Sequence, residues 1–448
     1  MKKILKLVLV LIVATLVYFG FTTYKKLDII TGYSSKSVAS GVFLAHRTQA
    51  SIEQGDNDIP SIDLAKNVVN TDDKSVASTA FGLKKRTAIF REGLGAVLMI
   101  DGVKDTLKYE IPKRDFTMIN KVYPYGDLPQ KDTVLAEVNY ELVKNAVTDA
   151  FDKPGENLKK TRSVLVLYKD HVIAEKYADG FNRNTPMLGW SMTKSITATI
   201  YGILQKQGKL KVSQSHLFSD WENDKRANIT LSDLLHMNSG LEWDENYSKL
   251  SGVTRMLFLD KDMSKRQRQK PAQYKPDTHW NYSSGTTNLL SGWLRTQFKT
   301  HQDYLDFWYT ALLDKIGMHS ALVETDLAGN YVGSSYGWAT TRDWAKFGTL
   351  NLHYGNWDGT QIVDTTWVNY IKTPTNTSKG RYGAHFWLNA GGIYPDVPKD
   401  MFSCNGFQGQ MVFMIPSKNL VVVRTGLTEY PDFDFNAFLK GILAGIKE

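Results

Sequence analysis

The stretch "GWSMTKSITATIYGIL", Gly189–Leu204, sets a serine one helical turn ahead of a lysine in otherwise nearly uncharged sequence. A cation in an apolar, buried helix loses its hydration, and must be paired or work as a neutral amine. Positions i and i+3 of a helix share a face about 5–6 Å apart at Cβ, so the Ser191 hydroxyl and the Lys194 amine can meet. With Ser191 at the start of the helix, free backbone N–H groups and the helix dipole favour a developing oxyanion. A desolvated lysine has a lowered pKa and can take part in moving the serine proton. The same residues also suit Ser191 as an N-cap with Lys194 reaching outward. The stretch alone leaves both readings open.

Two others bear on it. In "KPDTHWNYSSGTTNLLSGWL", Lys275–Leu294, a loop leads to Tyr282 and then to a helical run from about Thr286. A tyrosine held there beside a lysine can act as a general base, or can simply be an aromatic at a core boundary. In "NGFQGQMVFMIP", Asn405–Pro416, Gly406 and Gly409 open an edge strand. Glycines permit close approach to a substrate, and the Gln410 N–H would complete an oxyanion hole with that of Ser191; an ordinary strand bulge is the alternative.

In order and spacing, Ser191–Met192–Thr193–Lys194, Tyr282 and the glycine-flanked strand resemble the serine β-lactamase and penicillin-binding-protein superfamily, nearest its class C branch. "ITLSDLLHMNSGLEW" (Ile229–Trp243) and "SSYGWATTRDWAKFGTLNLHYGNWDG" (Ser334–Gly359) extend the likeness over about Arg162–Gly426. "TGYSSKSVASGVFLAHR" (Thr31–Arg47) is similar to the N-terminal region of membrane-anchored hydrolases described as 6-aminohexanoate-dimer hydrolase-like. The resemblance implies an α+β sandwich: an antiparallel sheet flanked by helices, with an inserted helical subdomain. It implies an ester- or amide-cleaving serine hydrolase working through an acyl-enzyme without cofactor or metal. Ser191 would be the nucleophile, Lys194 its proton partner and Tyr282 the base, with the N–H groups of Ser191 and Gln410 on the oxyanion.

Two departures bear on substrate. The class C tyrosine motif ends in asparagine two residues on, where Ser284 stands here. The Lys-Thr-Gly element aligns with Phe407, Gln408 and Gly409, so the cation that pairs with a β-lactam or D-alanine carboxylate is missing. This favours an esterase or amidase over a β-lactamase or D-alanyl peptidase, with a catalytically weak envelope-binding protein as a further alternative. Arg424, on the neighbouring strand, is a possible substitute cation. Trp190 is expected at the pocket wall, with Ser284, Phe407, Gln408 and Gly409; His385 reads as a structural hydrogen-bonding residue, with the pocket wall as the alternative.

Around this core the pattern is plain. "SVLVLYKDHVIAEKY" (Ser163–Tyr177) and "QMVFMIPSKNLVVVRTG" (Gln410–Gly426) read as hairpins, and Phe433–Lys447 as a closing amphipathic helix. The expected units are 1–28, a membrane segment; 29–154, an irregular extension with a few strands; and 155–448, the hydrolase. "GLGAV" at Gly93 lacks the third glycine of a dinucleotide loop, and "GWSMT" lacks the final glycine of a nucleophile elbow.

The net charge of +8 does not signal nucleic acid: five lysines and one acid between Met1 and Asp28 supply half of it. They flank the apolar run Leu7–Phe21, which reads as an uncleaved anchor in the cytoplasmic membrane with the catalytic part outside, or a secreted protein if the segment is removed. The basic run Lys265–Lys270 reads as a solvated loop. One cysteine, Cys404, permits no internal disulfide. Oligomeric state is not legible.

Overall fold

The computed structural model describes residues 2–103, 105 and 110–447; inside the helix Lys2–Phe43, the side chains of residues 2, 3, 5–19 and 21–23 fall outside that description. Two sheets, of four and six strands, organise the described residues. β1 (Ala65–Asn70), β2 (Ser75–Ala80), β3 (Leu83–Arg91) and β4 (Gly95–Leu98) form an antiparallel sheet in sequence order. The main sheet uses β5 (Thr161–Tyr168), β6 (His171–Tyr177), β7 (Trp387–Leu388), β8 (Phe402–Gly406), β9 (Gln410–Ile415) and β10 (Leu420–Gly426), in the order β7-β8-β9-β10-β5-β6. All its pairings are antiparallel, and the last strand returns beside the first.

Period-two alternation makes this sheet apolar on both faces. Leu165, Leu167, Val412, Met414, Val421 and Val423 face one core, which holds the helices Thr193–Lys206 and Thr341–Leu352. Val164, Val166, Phe413, Leu420 and Val422 face the other, covered by Tyr140–Asp149 and Phe435–Ala444. The result is the expected α+β sandwich, and both expected hairpins form. Lys169 and Asp170 turn the first at positive φ, and Asn419 (φ 46°) closes the second. The segment between β6 and β7 supplies the helical part, including Gly252–Leu259 and Ser284–Arg295.

The N-terminal part is more regular than its sequence suggests. The run Ser40–Phe43 closes the long helix, because Val38 and Ala39 just before it pack against Val76, Ala88 and Ala96 of the small sheet. Small residues on that face let the helix lie close to the strands, overriding the weak helix propensity of Ser, Val and Gly. The basic run Lys265–Lys270 is neutralised locally: Lys265, Arg266, Arg268 and Lys270 pair with Asp262, Asp260, Asp220 and Glu242. Among the described residues no helix is long and apolar enough to cross a membrane. The apolar run Leu7–Phe21 lies outside the described side chains.

A buried ion pair ties the long helix to the hydrolase body. Lys36 and Glu324 are both nearly inaccessible and joined Nζ to Oε2. Glu324 Oε1 accepts from Ser40 Oγ at 2.7 Å and the Ala96 N–H at 2.8 Å, and Oε2 from Trp338 Nε1 at 3.0 Å. Gly95 must be glycine: its φ is 75°, and a Cβ would lie 2.3 Å from the Glu324 side chain. Removing one partner strands the other charge. Lys36→Ala is therefore expected to cost about 3–5 kcal/mol, and Lys36→Met with Glu324→Leu to recover only part of it, because the Ser40, Ala96 and Trp338 donors lose their acceptor. Denaturant unfolding of the single and double variants measures both.

Candidate active site

Ser191 sits in the turn entering the helix Thr193–Lys206, whose residues Thr193–Leu204 are all buried. Trp190, just before it, has φ 47°, a conformation a bulky residue adopts only when its surroundings hold it. Its ring is held by Tyr33 at 6.1 Å, Tyr336 at 6.0 Å and Phe407 at 5.7 Å between centroids. The turn thus presents a half-buried Ser191 hydroxyl with the lysine one turn on, directly below it.

Lys194 is 1% exposed. Its Nζ donates to Ser191 Oγ at 2.8 Å, Ser284 Oγ at 2.9 Å and the Ser334 carbonyl at 2.8 Å. All three ammonium donors are satisfied, by three separate chain segments. Burial lowers its pKa to about 8, and the Glu245 carboxylate holds it from falling further. Tyr282 lies alongside, with Lys194 Nζ 4.9 Å from its ring centroid. Burial and then the charge of Glu245 push the phenol well above its usual value, while a hydrogen bond with Ser191 pulls it back in part. Rings of Tyr382 and Trp387 wall Tyr282 at 5.7 and 5.4 Å, and Trp280 joins them.

Glu245 is the residue that sequence reasoning missed. Its carboxylate accepts from the Ser284 N–H at 2.9 Å, the Ser284 hydroxyl, the Tyr247 hydroxyl at 3.0 Å and the Trp243 indole. Ser284, too short to span the space alone, becomes the middle of a chain Lys194–Ser284–Glu245. The one available signal was position, two residues beyond the family-like stretch ending at Trp243.

The other expected residues divide. Phe407 stands at the mouth, its ring 5.7 Å from those of both Trp190 and Tyr247. Phe407, Gln408 and Gly409 are not a strand but a tight turn between β8 and β9, with Gln408 at φ 60°. Gln408 lines a small cavity with Tyr33, Lys36 and Trp190, and Gly409 backs onto the Thr428 carbonyl and Arg424. The edge that reaches the Ser191 turn is Gly406: a Cβ there would lie 2.1 Å from the Gly189 carbonyl. Gln410 lies one strand further in, opposite Gly406, with its side chain on the Phe407 and Gly426 carbonyls.

His385 does not line a pocket. It is 2% exposed, with Nδ1 against the Leu235 carbonyl at 2.6 Å and Nε2 against Thr287 Oγ1 at 2.9 Å. Burial depresses it to about 3, so it is a neutral strut. Arg424 cannot replace the missing cation, since its guanidinium is spent inside the fold on the carbonyls of Gly409, Thr428 and Lys159. Among the described residues, no group of three or more His, Cys, Asp or Glu side chains is placed to hold a metal.

With this geometry in hand, comparison with known proteins is direct. The beta-lactamase family model matches residues 158–441. A 6-aminohexanoate-dimer hydrolase of Paenarthrobacter ureafaciens is 22% identical over 317 residues, 64% of this chain and 76% of that protein. A proposed 6-aminohexanoate-dimer hydrolase structure from Bacillus anthracis has TM-score 0.54 at 16% identity, covering 90% of this chain and 95% of its own. A family VIII carboxylesterase structure gives TM-score 0.54 at 15% identity, covering 70% of this chain and 98% of its own. The chain belongs to the beta-lactamase family, as a serine hydrolase of that fold.

The close approach at Gly406 gives a direct check. Gly406→Ala must push β8 away from Gly189, costing about 1–3 kcal/mol of stability. Displacing the edge by a fraction of an ångström to 1 Å is expected to cut kcat/KM by up to ~10²-fold. Thermal unfolding together with ester hydrolysis by the folded variant measures the two effects separately.

Proposed function

We propose that the protein hydrolyses an ester or linear amide through an acyl-enzyme on Ser191, in the manner of 6-aminohexanoate-dimer hydrolases and class C-like esterases. The observation that carries this reading is the 2.8 Å contact between Ser191 Oγ and a fully buried Lys194 whose pKa is brought down to about 8. At that value roughly a tenth of the amine is neutral at pH 7, enough to accept a proton.

Ser191 Oγ attacks the substrate carbonyl carbon as its proton passes to Lys194 Nζ. The tetrahedral oxyanion is received by the Ser191 N–H and an N–H of the β8 edge. Strand register supports one of them over the others. The Met401 carbonyl accepts from the Asn389 N–H at the β7 end, so odd-numbered residues of β8 turn their backbone groups toward the free edge. Continued two residues past Asn405, that alternation favours the N–H of Phe407; Gln410 pairs inward with Gly406. The leaving amine or alcohol takes the proton from Lys194 through the Tyr282 hydroxyl, and the C–N or C–O bond breaks. Water then repeats the sequence in reverse and frees the acid. The raised pKa of Tyr282 supports a relay in place of the phenolate base that the family resemblance implies.

The absence of a cation at Phe407–Gly409, and the commitment of Arg424 to backbone carbonyls, argue for substrates other than β-lactams and D-alanyl peptides. For placement, the run Leu7–Phe21 between lysines supports an N-terminal anchor with the hydrolase on the outer side of the cytoplasmic membrane.

Two measurements test the chemistry. A fluorophosphonate probe should label the protein, and Ser191→Ala should lose labelling and ~10³-fold or more of the esterase rate; undiminished labelling of that variant would rule out Ser191 as nucleophile. The pH profile tests Lys194. As the working base must be the neutral amine, kcat/KM should rise through about pH 8. The Glu245 carboxylate raises that pKa, so Glu245→Gln should move the acid limb to lower pH. A limb that stays in place or moves upward contradicts the assignment, whatever happens to the height of the profile.

A further inference from the structure

The hairpin between β2 and β3 carries a contradiction. Ala80 pairs with Leu83, leaving a two-residue turn of Phe81 at φ 55° and Gly82 at φ 73°. Such a turn requires left-handed backbone at both positions and prefers Asn-Gly or Gly-Gly. A phenylalanine at the first position is strained, and packing does not compensate it: Phe81 is 70% exposed. Leu83 beside it and Leu64 next to the paired end of β1 are also exposed, as are Lys66 and Lys85. Strain and exposed apolar surface coincide on a tip that does nothing for the fold.

The position of this tip is fixed by the long helix. Ala80 packs with Leu27 and Ile30, whereas Val76 and Ala88, further down the same strands, pack around Val38 and Ala39. From Val38 back to Leu27 the helix advances about 16 Å, and from Ala88 back to Leu83 the strand advances about 17 Å. Helix and hairpin therefore project together in the same direction. Lys84 joins them, with Nζ 2.9 Å from Asp28 Oδ2 and 4.4 Å from the Tyr24 ring centroid. Beyond Tyr24 the helical backbone continues toward Lys2, carrying the apolar run Leu7–Phe21 in its sequence.

We infer that the Phe81–Leu83 hairpin tip, with Leu64, is a second membrane contact. It dips into the interfacial layer of an anionic phospholipid bilayer beside the point where the N-terminal helix enters it. The inference rests on the anchor proposed above and goes beyond it. Exposed apolar side chains next to the exposed Lys66 and Lys85, with Asp63 beside Leu64 as the nearest exposed acid in sequence, match an interfacial surface, apolar below and anionic at the headgroups. Aromatic Tyr24 and Lys25–Lys26 fall on the helix at the same level, where an interface is expected. Two contacts set apart would fix the tilt of the hydrolase body, which a single helix leaves free to swing.

The test uses the full chain in vesicles of phosphatidylcholine and phosphatidylglycerol. Cys404 is buried and is the single cysteine, so Phe81→Cys directs an environment-sensitive fluorophore to the tip. Lipid-borne nitroxides should quench that label severalfold more than one at Val134→Cys, which is also exposed but lies in a different segment. Equal quenching at the two positions, in protein that resists alkaline carbonate extraction, overturns the docking face and leaves the anchor standing. Protein that carbonate extracts overturns the anchor, and the docking face with it. Phe81→Asn suits the turn and should keep the thermal midpoint in detergent, while a label at Leu64→Cys in that background loses most of its quenching. Loss of the fold on that substitution would instead make Phe81 a structural residue, against the inference.

Discussion

Burying the Lys194 amine is the constraint around which the molecule is arranged. An ammonium removed from water costs several kcal/mol unless each N–H finds an acceptor. Here the acceptors are the Ser191 hydroxyl, a serine at the head of the helix Ser284–Arg295 and the carbonyl of Ser334. Each comes from a different part of the chain, so the amine is satisfied only when those parts have docked. The same arrangement lowers its pKa to about 8. One set of contacts has both effects: full hydrogen bonding permits burial, and burial brings the amine's pKa down toward neutrality.

Glu245 sets how far that shift runs. Without a nearby carboxylate, desolvation would drive the lysine lower still; with a direct ion pair, the ammonium would be locked on. A carboxylate acting through the Ser284 hydroxyl lies between these extremes. This also accounts for serine where related sequences have asparagine. The hydroxyl both accepts from Lys194 and donates to Glu245, whereas an asparagine side chain would reach the lysine directly and crowd the carboxylate. The departure in sequence thus becomes a three-membered relay in structure.

How much was legible follows from the range of the interactions involved. The hairpins β5–β6 and β9–β10 were readable because period-two alternation and turn residues are local. Ser191, Lys194 and Tyr282 were readable as ordered motifs. Glu245 was not, since its importance comes from Ser284, 39 residues away, and a carboxylate in a loop has no pattern of its own. The helix through Phe43 was masked by Gly32, Gly41 and a run of serines, whose small size is the reason the sheet can approach. His385 kept the pocket wall as an alternative because its neighbours are family-like, and burial of both ring nitrogens cannot be seen from a single chain position. Gln410 failed by register: the turn Phe407–Gly409 takes three residues, placing Gln410 across from Gly406 and one strand away from the free edge.

The charges around Ser191 bear on what can bind. Glu245 and Glu429 both act on Tyr282, and both raise it. Glu429 is itself engaged by the Gln408 and Gly409 N–H groups at the turn where a carboxylate-binding cation would otherwise stand. Opposing these two carboxylates is a lysine that loses its charge as the pH passes about 8. A substrate carboxylate placed next to the scissile carbonyl would meet this field with no compensating cation from Phe407–Gly409 or Arg424. Its desolvation would go unrecovered, and the like charges would repel it further. A neutral acyl group, or one whose nearest charge is an ammonium, meets no such penalty and can lie against the rings of Phe407, Trp190 and Tyr247. The field that disfavours a nearby acidic group therefore comes in part from the carboxylate that tunes the Lys194 pKa, so the two effects cannot be altered independently at Glu245.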